Sequence, residues 1–401
     1  MRGRFGELGA AWQCRFTTSG SEAAAALAEG SIDAVIASAE LPDTTGTEFI
    51  ERVAAGHPKV VRIIHHGSSE KKSSAKPKGL PPCYLEHQHD ASGLLAVLRR
   101  AFQLERWMQG DQAKTLLLRM ENLPAVPSLY ARVLAELRSE DPSIEAVGKL
   151  VAKDPALTAK MLQLVNSPHF ALGHPVSDAV EAVTFLGAER TKALILMASL
   201  SLHGNMTPCE GFSQDQFWQH SLSVGTLARN ITKVQTKDAG LADQAFTAGL
   251  LHDIGKLLFA ANLPREYGPV MATAINERVP MHEVETQAFG ISHAQLGASL
   301  LGTWGLPMPV LEAIAGHHTP VESRDTSFSL LTAVHAANAF DYEKKAGDAA
   351  GVAPQLAEDY LARLNLMDQV NQWREVCGCP ARPPGRASGD LTGKNPPKTA
   401  F

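Results

Sequence analysis

The stretch Gly249-Leu250-Leu251-His252-Asp253-Ile254-Gly255-Lys256 inserts a His-Asp pair into an otherwise apolar segment that has the pattern of a helix. Aspartate is almost never fully buried without a partner, so both side chains need a reason to leave water. A divalent metal ion would supply one, because neutral imidazole and carboxylate are both good ligands. The pair therefore indicates a metal centre, in either a working or a residual form.

The overall composition is that of an ordinary globular protein. The 401 residues are 44% hydrophobic and 20% charged, and the formal net charge is -5. This length allows two or three domains, and this charge gives no general attraction to nucleic acid or anionic membranes. No apolar run approaches the roughly 20 residues that span a bilayer, and the five scattered cysteines do not form a disulfide framework. These features predict a reduced, cytoplasmic protein without nucleic-acid or membrane partners.

The first hundred residues alternate between patterns typical of buried strands and of helices. Apolar runs at 34–37 and 60–64 are typical of parallel strands, and helical patterns at 20–29 and 47–55 alternate with them. Such alternation implies βαβ units in a doubly wound sheet. The segment 68–82 is rich in Ser, Lys, Gly and Pro, so it is predicted to be a mobile loop.

Strand patterns nearly vanish in the rest of the chain. Helical periodicity at 91–118 predicts a connection between two domains, and Pro, Gly and Asp-Pro separate a succession of helices after it. The last residues hold too little apolar surface to offset the entropy lost on ordering. The predicted organisation is therefore a domain at 1–105, a helical linker at 106–118, an all-helical domain at 119–375 and a disordered tail at 376–401.

Residues 33–42 form a predicted strand and turn, DAVIASAELP, and Gly46 follows them. This pattern resembles the phosphate-accepting strand and loop of response-regulator receivers, whose fold is α/β and flavodoxin-like. The resemblance places Ser38 at the position of the phosphate-accepting Asp. A serine there cannot form the acyl phosphate that receivers use.

Other receiver positions are altered as well. The same alignment puts His66 in place of the hydroxyl residue after the fourth strand, and His87 and Gln88 in place of the Lys-Pro pair after the fifth. The paired acids that hold magnesium have no counterpart, because the chain starts at or after the first strand. The resemblance implies an unphosphorylatable pseudo-receiver used for docking or dimerisation, and a flavodoxin-like scaffold with another role is the alternative.

Four motifs beyond residue 119 follow one order and spacing. They are LPAVP at 123–127, KDPALT at 153–158, LVNSP at 164–168 and TFLG at 184–187. They resemble those of the HDOD signalling domain, an all-α relative of the HD-type metal-dependent phosphohydrolases, and the match runs from about residue 115 to 370. Asp154-Pro155 can start a helix, and Asn166-Ser167-Pro168 can end one. Structural roles are therefore favoured for these motifs.

The resemblance also implies a set of metal ligands. By alignment, the residues that would hold the primary metal of HD hydrolases are His220, His252, Asp253 and Asn338. The residues that resemble second-metal ligands of the HD-GYP cyclic-dinucleotide phosphodiesterases are His293, His317 and His318. A single histidine on an apolar helix is usually a hydrogen-bonded core residue, but with this many in the family's order a divalent transition metal, Fe, Mn or Zn, stands beside that interpretation as an equal alternative. Lys256 follows the His-Asp pair by one helical turn, either to meet a phosphate oxygen or as an ordinary surface cation.

Two departures from the family argue against rapid turnover. Asn338 stands where HD hydrolases have an aspartate, and an amide brings no negative charge to neutralise a cation. After His317-His318 the sequence continues TPVE at 319–322, without the acid and the Gly-Tyr-Pro loop of the phosphodiesterases.

The sequence therefore predicts a signal-transduction protein of the two-component type. In it a pseudo-receiver is coupled to an HDOD output domain that binds signalling proteins or a nucleotide, with little or no catalysis, and a homodimer is compatible with this organisation. The alternative is a metal-dependent phosphohydrolase or phosphodiesterase of the HD superfamily. A purely structural scaffold is a third interpretation.

Overall fold

The amino-terminal part of the chain combines a small sheet with helices. The structure is a computed structural model, which describes residues 12–57, 59–66, 83–86, 91–108, 110–120, 123–124, 126–170, 174–202, 208–345 and 354–381. The elements of the amino-terminal part are α1 (Gly20–Glu29), β1 (Ala34–Ser38), α2 (Gly46–Gly56), β2 (Val61–His66), β3 (Cys83–Glu86) and α3 (Ala91–Trp107). The predicted loop at 68–82, and the positions His87 and Gln88, lie outside the described residues.

The three described strands form one parallel sheet in the order β1-β2-β3, and Ala34 lies opposite Val61. Because successive side chains of a strand point to opposite faces, β2 contributes to two separate clusters. Ile63 packs with Leu94 of α3, while Ile64 packs with Phe49 of α2. Helices therefore cover both faces of the sheet, and the predicted parallel strands and flanking helices are confirmed.

The turn after β1 is tightly constrained. A Cβ atom on Gly46 would lie 2.0 Å from the carbonyl oxygen of Ser38, so a larger residue would displace the end of the strand. Asp43 accepts hydrogen bonds from the backbone amides of Gly20 and Ser21, both at 2.8 Å. The Ser21 hydroxyl and these amides lower the pKa of Asp43 to about 2. The turn is thereby fastened to the start of α1.

The remainder of the described chain is helical, which confirms the predicted all-α part. Its helices are α4 (Asp111–Arg119), α5 (Ser128–Leu137), α6 (Ile144–Val151), α7 (Pro155–Val165), α8 (Ala179–Leu202), α9 (Gln214–Thr236), α10 (Ala239–Leu251), α11 (Ile254–Asn262), α12 (Pro264–Glu277), α13 (Met281–Phe289), α14 (His293–Thr303), α15 (Met308–Gly316), α16 (Leu330–Lys344), α17 (Glu358–Arg363) and α18 (Val370–Val376). Within the described ranges, none of these helices has the length and apolarity needed to cross a membrane.

The HDOD-type motifs have the structural roles that the sequence predicts. Asp154 precedes α7 and accepts a hydrogen bond from the Leu157 amide at 3.0 Å. The Asn166 side chain donates to the carbonyl oxygens of Leu162 and Val176 and accepts from the Val176 amide. Each side chain thus satisfies backbone groups at a helix end.

Residues just after α18 pack into the helical part, which corrects the predicted start of the disordered tail at residue 376. Cys377 and Cys379 are buried, and Arg374 donates to the carbonyl oxygen of Pro380 and to Glu343. A buried thiol behaves as a small hydrophobic group, so these two cysteines add core surface that the polar composition of the tail conceals.

The His-Asp pair lies between two helices, which corrects its predicted place inside one. Helix α10 ends at Leu251 and α11 begins at Ile254, and Asp253 has φ -99 and ψ 8. A Cβ atom on Gly255 would lie 1.9 Å from the carbonyl oxygen of His293. The start of α11 and the start of α14 therefore touch backbone to backbone.

We expect Gly255→Ala to lower the free energy of unfolding by about 3 kcal/mol or more. Overpacking a core costs about 1–3 kcal/mol, and here the added methyl group meets backbone atoms that cannot rotate away. Urea denaturation measures the change. Gly56→Ala is the matched control, because a Cβ atom at Gly56 meets nothing within 4 Å, and its effect should lie between zero and about 1 kcal/mol of stabilisation. Equal stability of the two variants would contradict this account.

Candidate metal centre

Six of the seven predicted ligands meet at one point in the helical part. They form two groups in which the ligand atoms lie within 4.8 Å of one another, and Asp253 belongs to both. The first group is His220, His252 and Asp253, and the second is Asp253, His293, His317 and His318. His220 lies on α9, His293 opens α14, and the other histidines directly follow α10 and α15. Residues distant in sequence are thus brought together where the ends of α10 and α15 and the start of α14 meet the side of α9.

The two oxygens of the Asp253 carboxylate face different groups. Oδ2 lies 3.4 Å from the Nε2 atoms of both His220 and His252. Oδ1 lies 3.1 Å from Nε2 of His293 and 3.7 Å from Nε2 of His317. His318 completes the second group, with its Nε2 atom 3.1 Å from that of His293. The carboxylate therefore has the position of a bridge between two imidazole clusters.

Backbone carbonyls fix the orientation of two of these imidazoles. His252 Nδ1 donates to the carbonyl oxygen of Gly249, and His317 Nδ1 donates to that of Ile314, both at 2.7 Å. Each carbonyl lies three residues earlier, in the last turn of a helix, where carbonyls lack intrahelical partners. Because a carbonyl can only accept, each neutral ring carries its proton on Nδ1 and directs an Nε2 lone pair into the cluster.

Buried carboxylates orient two further imidazoles. His220 Nδ1 lies 2.6 Å from Asp341 Oδ2, and His293 Nδ1 lies 2.5 Å from Glu285 Oε2. Glu285 is fully buried and also accepts from the Tyr267 hydroxyl at 2.7 Å and from the His293 amide at 2.8 Å. A carboxylate on the outer nitrogen is the usual support of a metal-ligating histidine, because it fixes the ring and makes Nε2 more basic.

The donor atoms fit a divalent transition metal. The Nε2 atoms of His220 and His252 lie 3.2 Å apart, and both rings have their Nδ1 atoms bound elsewhere, so two neutral rings would direct lone pairs at each other. Among the described residues, the buried atoms without a hydrogen-bond partner include two of the cluster, Asp253 Oδ1 and His317 Nε2. Each such atom costs about 1–3 kcal/mol. Cations bound by the imidazoles and the shared carboxylate would remove this cost.

The electrostatic environment keeps most of these imidazoles neutral. Burial lowers the pKa of His252, and it lowers the pKa of His317 and His318 well below the usual value. Burial also acts on His293, but the adjacent Glu285 carboxylate outweighs it and raises the pKa of that ring. Burial would raise the pKa of Asp253, and His252 and Lys256 outweigh it, so this pKa lies well below its usual range. A charged carboxylate among neutral imidazoles is a suitable ligand set for a cation.

Lys256 lies at the edge of the centre, one turn after the His-Asp pair as predicted. Its Nζ donates to Asp253 Oδ2 at 2.7 Å, and its side chain is 19% exposed. Burial lowers the pKa of Lys256, but the Asp253 carboxylate outweighs burial and the net shift is upward. The ammonium is therefore charged and bound to the shared ligand, and a contact with a phosphate oxygen stays a prediction.

The seventh predicted ligand, Asn338, is buried on α16 with 2% of its surface exposed. Asp341 lies one turn further on the same helix, where residues three apart share a face. Burial would raise the pKa of Asp341, and the hydrogen bond from His220 outweighs it and lowers the value to about 2. The carboxylate that α16 contributes therefore orients His220.

The sequence analysis missed the supporting residues of the centre. Asp341 had one available signal, its spacing of three from Asn338. Glu285 had none beyond its position eight residues before His293, because nothing local shows that α13 folds back onto α14. The ring of His282 on α13 stacks on that of His318 with centroids 4.4 Å apart, and this pairing also follows only from the tertiary fold.

The family comparison agrees with the helical fold. Residues 123–320 match the model of the HDOD domain family. A crystal structure of an HDOD domain protein with unknown function from Geobacter sulfurreducens matches with a TM-score of 0.52 and 21% identity, over 66% of this chain and 96% of that one. The chain therefore contains an HDOD domain. The matched residues include five of the candidate histidines and Asp253, and they end before Asn338 and Asp341.

Two curated relatives share part of the chain. An uncharacterized protein of Treponema pallidum (strain Nichols) is 26% identical over 220 residues, which are 55% of this chain and 42% of that protein. A protein of Thermus thermophilus named Ribonuclease Y is 30% identical over 152 residues, which are 38% of this chain and 20% of that protein. The chain spans less than half the length of either relative.

We expect the metal-free protein to lose stability as the pH falls below about 6.5, the pKa of histidine in an unfolded chain. His252, His317 and His318 have lowered pKa values in the fold, so the unfolded chain takes up protons that the folded protein does not. Each group then costs up to about 1.4 kcal/mol of stability per pH unit. His293 has a raised pKa, so its stabilising contribution is complete below about pH 6.5 and does not oppose this loss.

Urea unfolding of chelator-treated protein at several pH values measures this dependence. The matched variant is His317→Asn, whose amide can replace Nδ1 as a donor to Ile314 but does not titrate. The stability of this variant should also fall with decreasing pH, but with a slope smaller than that of the wild type. The difference between the two slopes should be up to about 1.4 kcal/mol per pH unit, the contribution of one histidine. The same slope in both proteins would show that His317 is not held neutral by the fold.

Proposed function

We propose that this chain is a signal-transduction protein whose HDOD domain holds a divalent transition-metal centre and acts by binding rather than by rapid turnover. One observation carries the proposal, the convergence of five imidazole Nε2 atoms on the bridging carboxylate of Asp253. The proposed binding partners are signalling proteins or a nucleotide. A metal can bind a nucleotide through its phosphate oxygens.

The proposed ligands divide into two groups. His220, His252 and Asp253 would hold one cation, and Asp253 would share a second with the remaining three histidines. A divalent transition metal such as Fe, Mn or Zn supplies Lewis acidity and an attachment point for anionic oxygen. Asp341 and Glu285 hold the rings of His220 and His293, so the ligand geometry is set before a cation arrives.

Two features bear on the proposed binding role, the enclosure of the ligands and the amide at position 338. His252, Asp253, His293 and His317 are each no more than 2% exposed. The more open side chains at the edge include Lys256 at 19% and His220 at 11%. Asn338 adds no negative charge to the cluster, which weakens the hold on a cation compared with the aspartate of HD hydrolases.

The amino-terminal part supports a regulatory role. We interpret its parallel sheet with helices on both faces as a receiver-like domain. Ser38 ends β1 opposite His65, and a hydroxyl at this strand end cannot accept phosphate as an acyl phosphate. Such a domain would act by docking to a partner, with the signal passing to the HDOD domain through α3.

A metal-dependent phosphohydrolase is the second candidate. Two cation positions that share one carboxylate suit the displacement chemistry of phosphate esters, and Lys256 holds a positive charge beside that carboxylate. One partial relative carries the name Ribonuclease Y, and a ribonuclease cleaves phosphodiesters, the reaction class of this candidate function.

Metal content tests the proposed centre. Protein purified without chelator and analysed by elemental mass spectrometry should hold about two transition-metal ions per chain. Asp253→Ala should lose both, because this carboxylate belongs to both groups, whereas His220→Ala should lose one. His174→Ala is the control, since His174 is largely exposed and outside both groups. Absence of metal from the wild type, with no thermal stabilisation on adding Mn²⁺ or Zn²⁺, would refute the proposal.

A phosphodiester assay separates the two candidate functions. In the presence of added Mn²⁺ or Fe²⁺, wild-type protein should cleave bis(4-nitrophenyl) phosphate no faster than Asp253→Ala does. Acid–base and metal assistance at a working hydrolase site would give an advantage of about 100-fold or more. That result would replace the binding function with the hydrolase.

A further inference from the structure

Helix α14 extends from the metal centre to the amino-terminal part of the chain. Its first residue is His293, and near its other end Gly302 faces Leu104 of α3. A Cβ atom on Gly302 would lie 2.4 Å from Leu104 Cδ2. The two helices therefore pack as closely as side-chain and backbone atoms permit.

Helix α4, which follows α3, contacts the chain just before the start of α14. Gln112 on α4 donates from Nε2 to the carbonyl oxygen of Ala288 at 2.7 Å. Gly290, three residues before His293, has φ 73, and a Cβ atom there would lie 3.0 Å from the Cβ of Gln112. The corner between α13 and α14 is thus both hydrogen-bonded to α4 and packed against it.

Helices α3 and α4 form one connected unit, which is the linker between the two parts of the chain. Lys114 and Glu105 make an ion pair at 2.5 Å across the bend at Gly110. Trp107 packs against both the sheet cluster and the core of the helical domain. On its sheet side, α3 contributes Leu94 to the cluster around β2 and β3. A displacement of the sheet therefore reaches both ends of α14 through this unit.

The corner between α13 and α14, which α4 contacts, also positions a candidate ligand. Glu285 of α13 binds both the ring and the backbone amide of His293, and His293 Nε2 lies 3.1 Å from the shared carboxylate. His220 and His252 belong to α9 and to the end of α10, outside this corner. A shift of the corner thus changes the second ligand group before the first.

We propose that Leu104 and Gln112 are positioning residues that set His293 through α14, and that α3 and α4 thereby connect the amino-terminal part to the second ligand group. A tightly packed interior moves as a unit rather than deforming gradually, so small linker shifts reach the ligand. The functional consequence rests on the proposed metal centre. The positional claim holds for the metal-free protein as well.

Two substitutions test the linker contacts in the full chain. Gln112→Ala removes the bond to Ala288, and Gly302→Ala forces Leu104 away from α14. Gly56→Ala is the control, in the same amino-terminal part but free of close contacts. Histidine-selective NMR of chelator-treated protein reports the rings directly, with signals assigned by His293→Gln and His220→Gln. Both linker variants should shift the His293 signals and leave those of His220 in place.

Metal titration gives the second measurement. In the linker variants one of two Mn²⁺ ions, the same one that His293→Gln weakens, should lose about 10- to 100-fold in affinity, the usual effect of disturbing a ligand's support, while the ion that His220→Gln weakens is unchanged. Unshifted His293 signals, or equal shifts at His293 and His220, would overturn the inference. A wild type that is purified without metal and binds neither Mn²⁺ nor Zn²⁺ would refute the proposed function alone, because the NMR comparison still decides the positional claim. Gln112 is exposed, so its variant should fold even where Gly302→Ala does not.

Discussion

The buried carboxylate of Asp253 is the constraint on which the helical domain depends. Burial alone disfavours the charge of this carboxylate. Imidazoles on both sides and the ammonium of Lys256 at 2.7 Å stabilise it. Bringing these groups together requires the ends of α10 and α15 and the starts of α11 and α14 to meet beside α9. Two glycines make this possible. Gly255 lets α11 touch the carbonyl of His293, and Gly249 lets α10 lie against α9, where a Cβ atom would come within 2.8 Å of the Gly225 backbone.

Hydrogen-bond acceptors on Nδ1 orient the imidazoles of the centre, and these acceptors are of two kinds, carbonyls and carboxylates. Every imidazole whose outer nitrogen has a described partner directs Nδ1 away from Asp253 and Nε2 toward it. Helix-terminal carbonyls do this for His252 and His317, at no additional cost because those carbonyls need a donor. Carboxylates do it for His220 and His293, where Glu285 alone satisfies a ring, an amide and a tyrosine hydroxyl. The ligand set is therefore preorganised by groups that are themselves fully bonded.

The two parts of the chain are joined by packing as well as by sequence. Helix α3 covers one face of the parallel sheet and also contacts α14, whose first residue is His293. In the proposed function, a sheet whose first described strand ends in Ser38 would dock to a partner without phosphoryl chemistry. The same helix would then connect that docking to the candidate ligands.

The sequence by itself determined the secondary structure types and the set of candidate ligands. Alternating apolar runs indicated the parallel strands, and the resemblance to HD-type hydrolases indicated candidate ligands for two metals, six of which the fold brings together and which are His220, His252, Asp253, His293, His317 and His318. The sequence could not show that the His-Asp pair lies between two helices. The break depends on the backbone angles at Asp253, and the pattern of apolar residues does not indicate them. The sequence also could not supply Asp341 and Glu285, or the burial of Cys377 and Cys379. Those depend on contacts between residues far apart in the chain, which only the packing of complete helices brings within hydrogen-bonding distance.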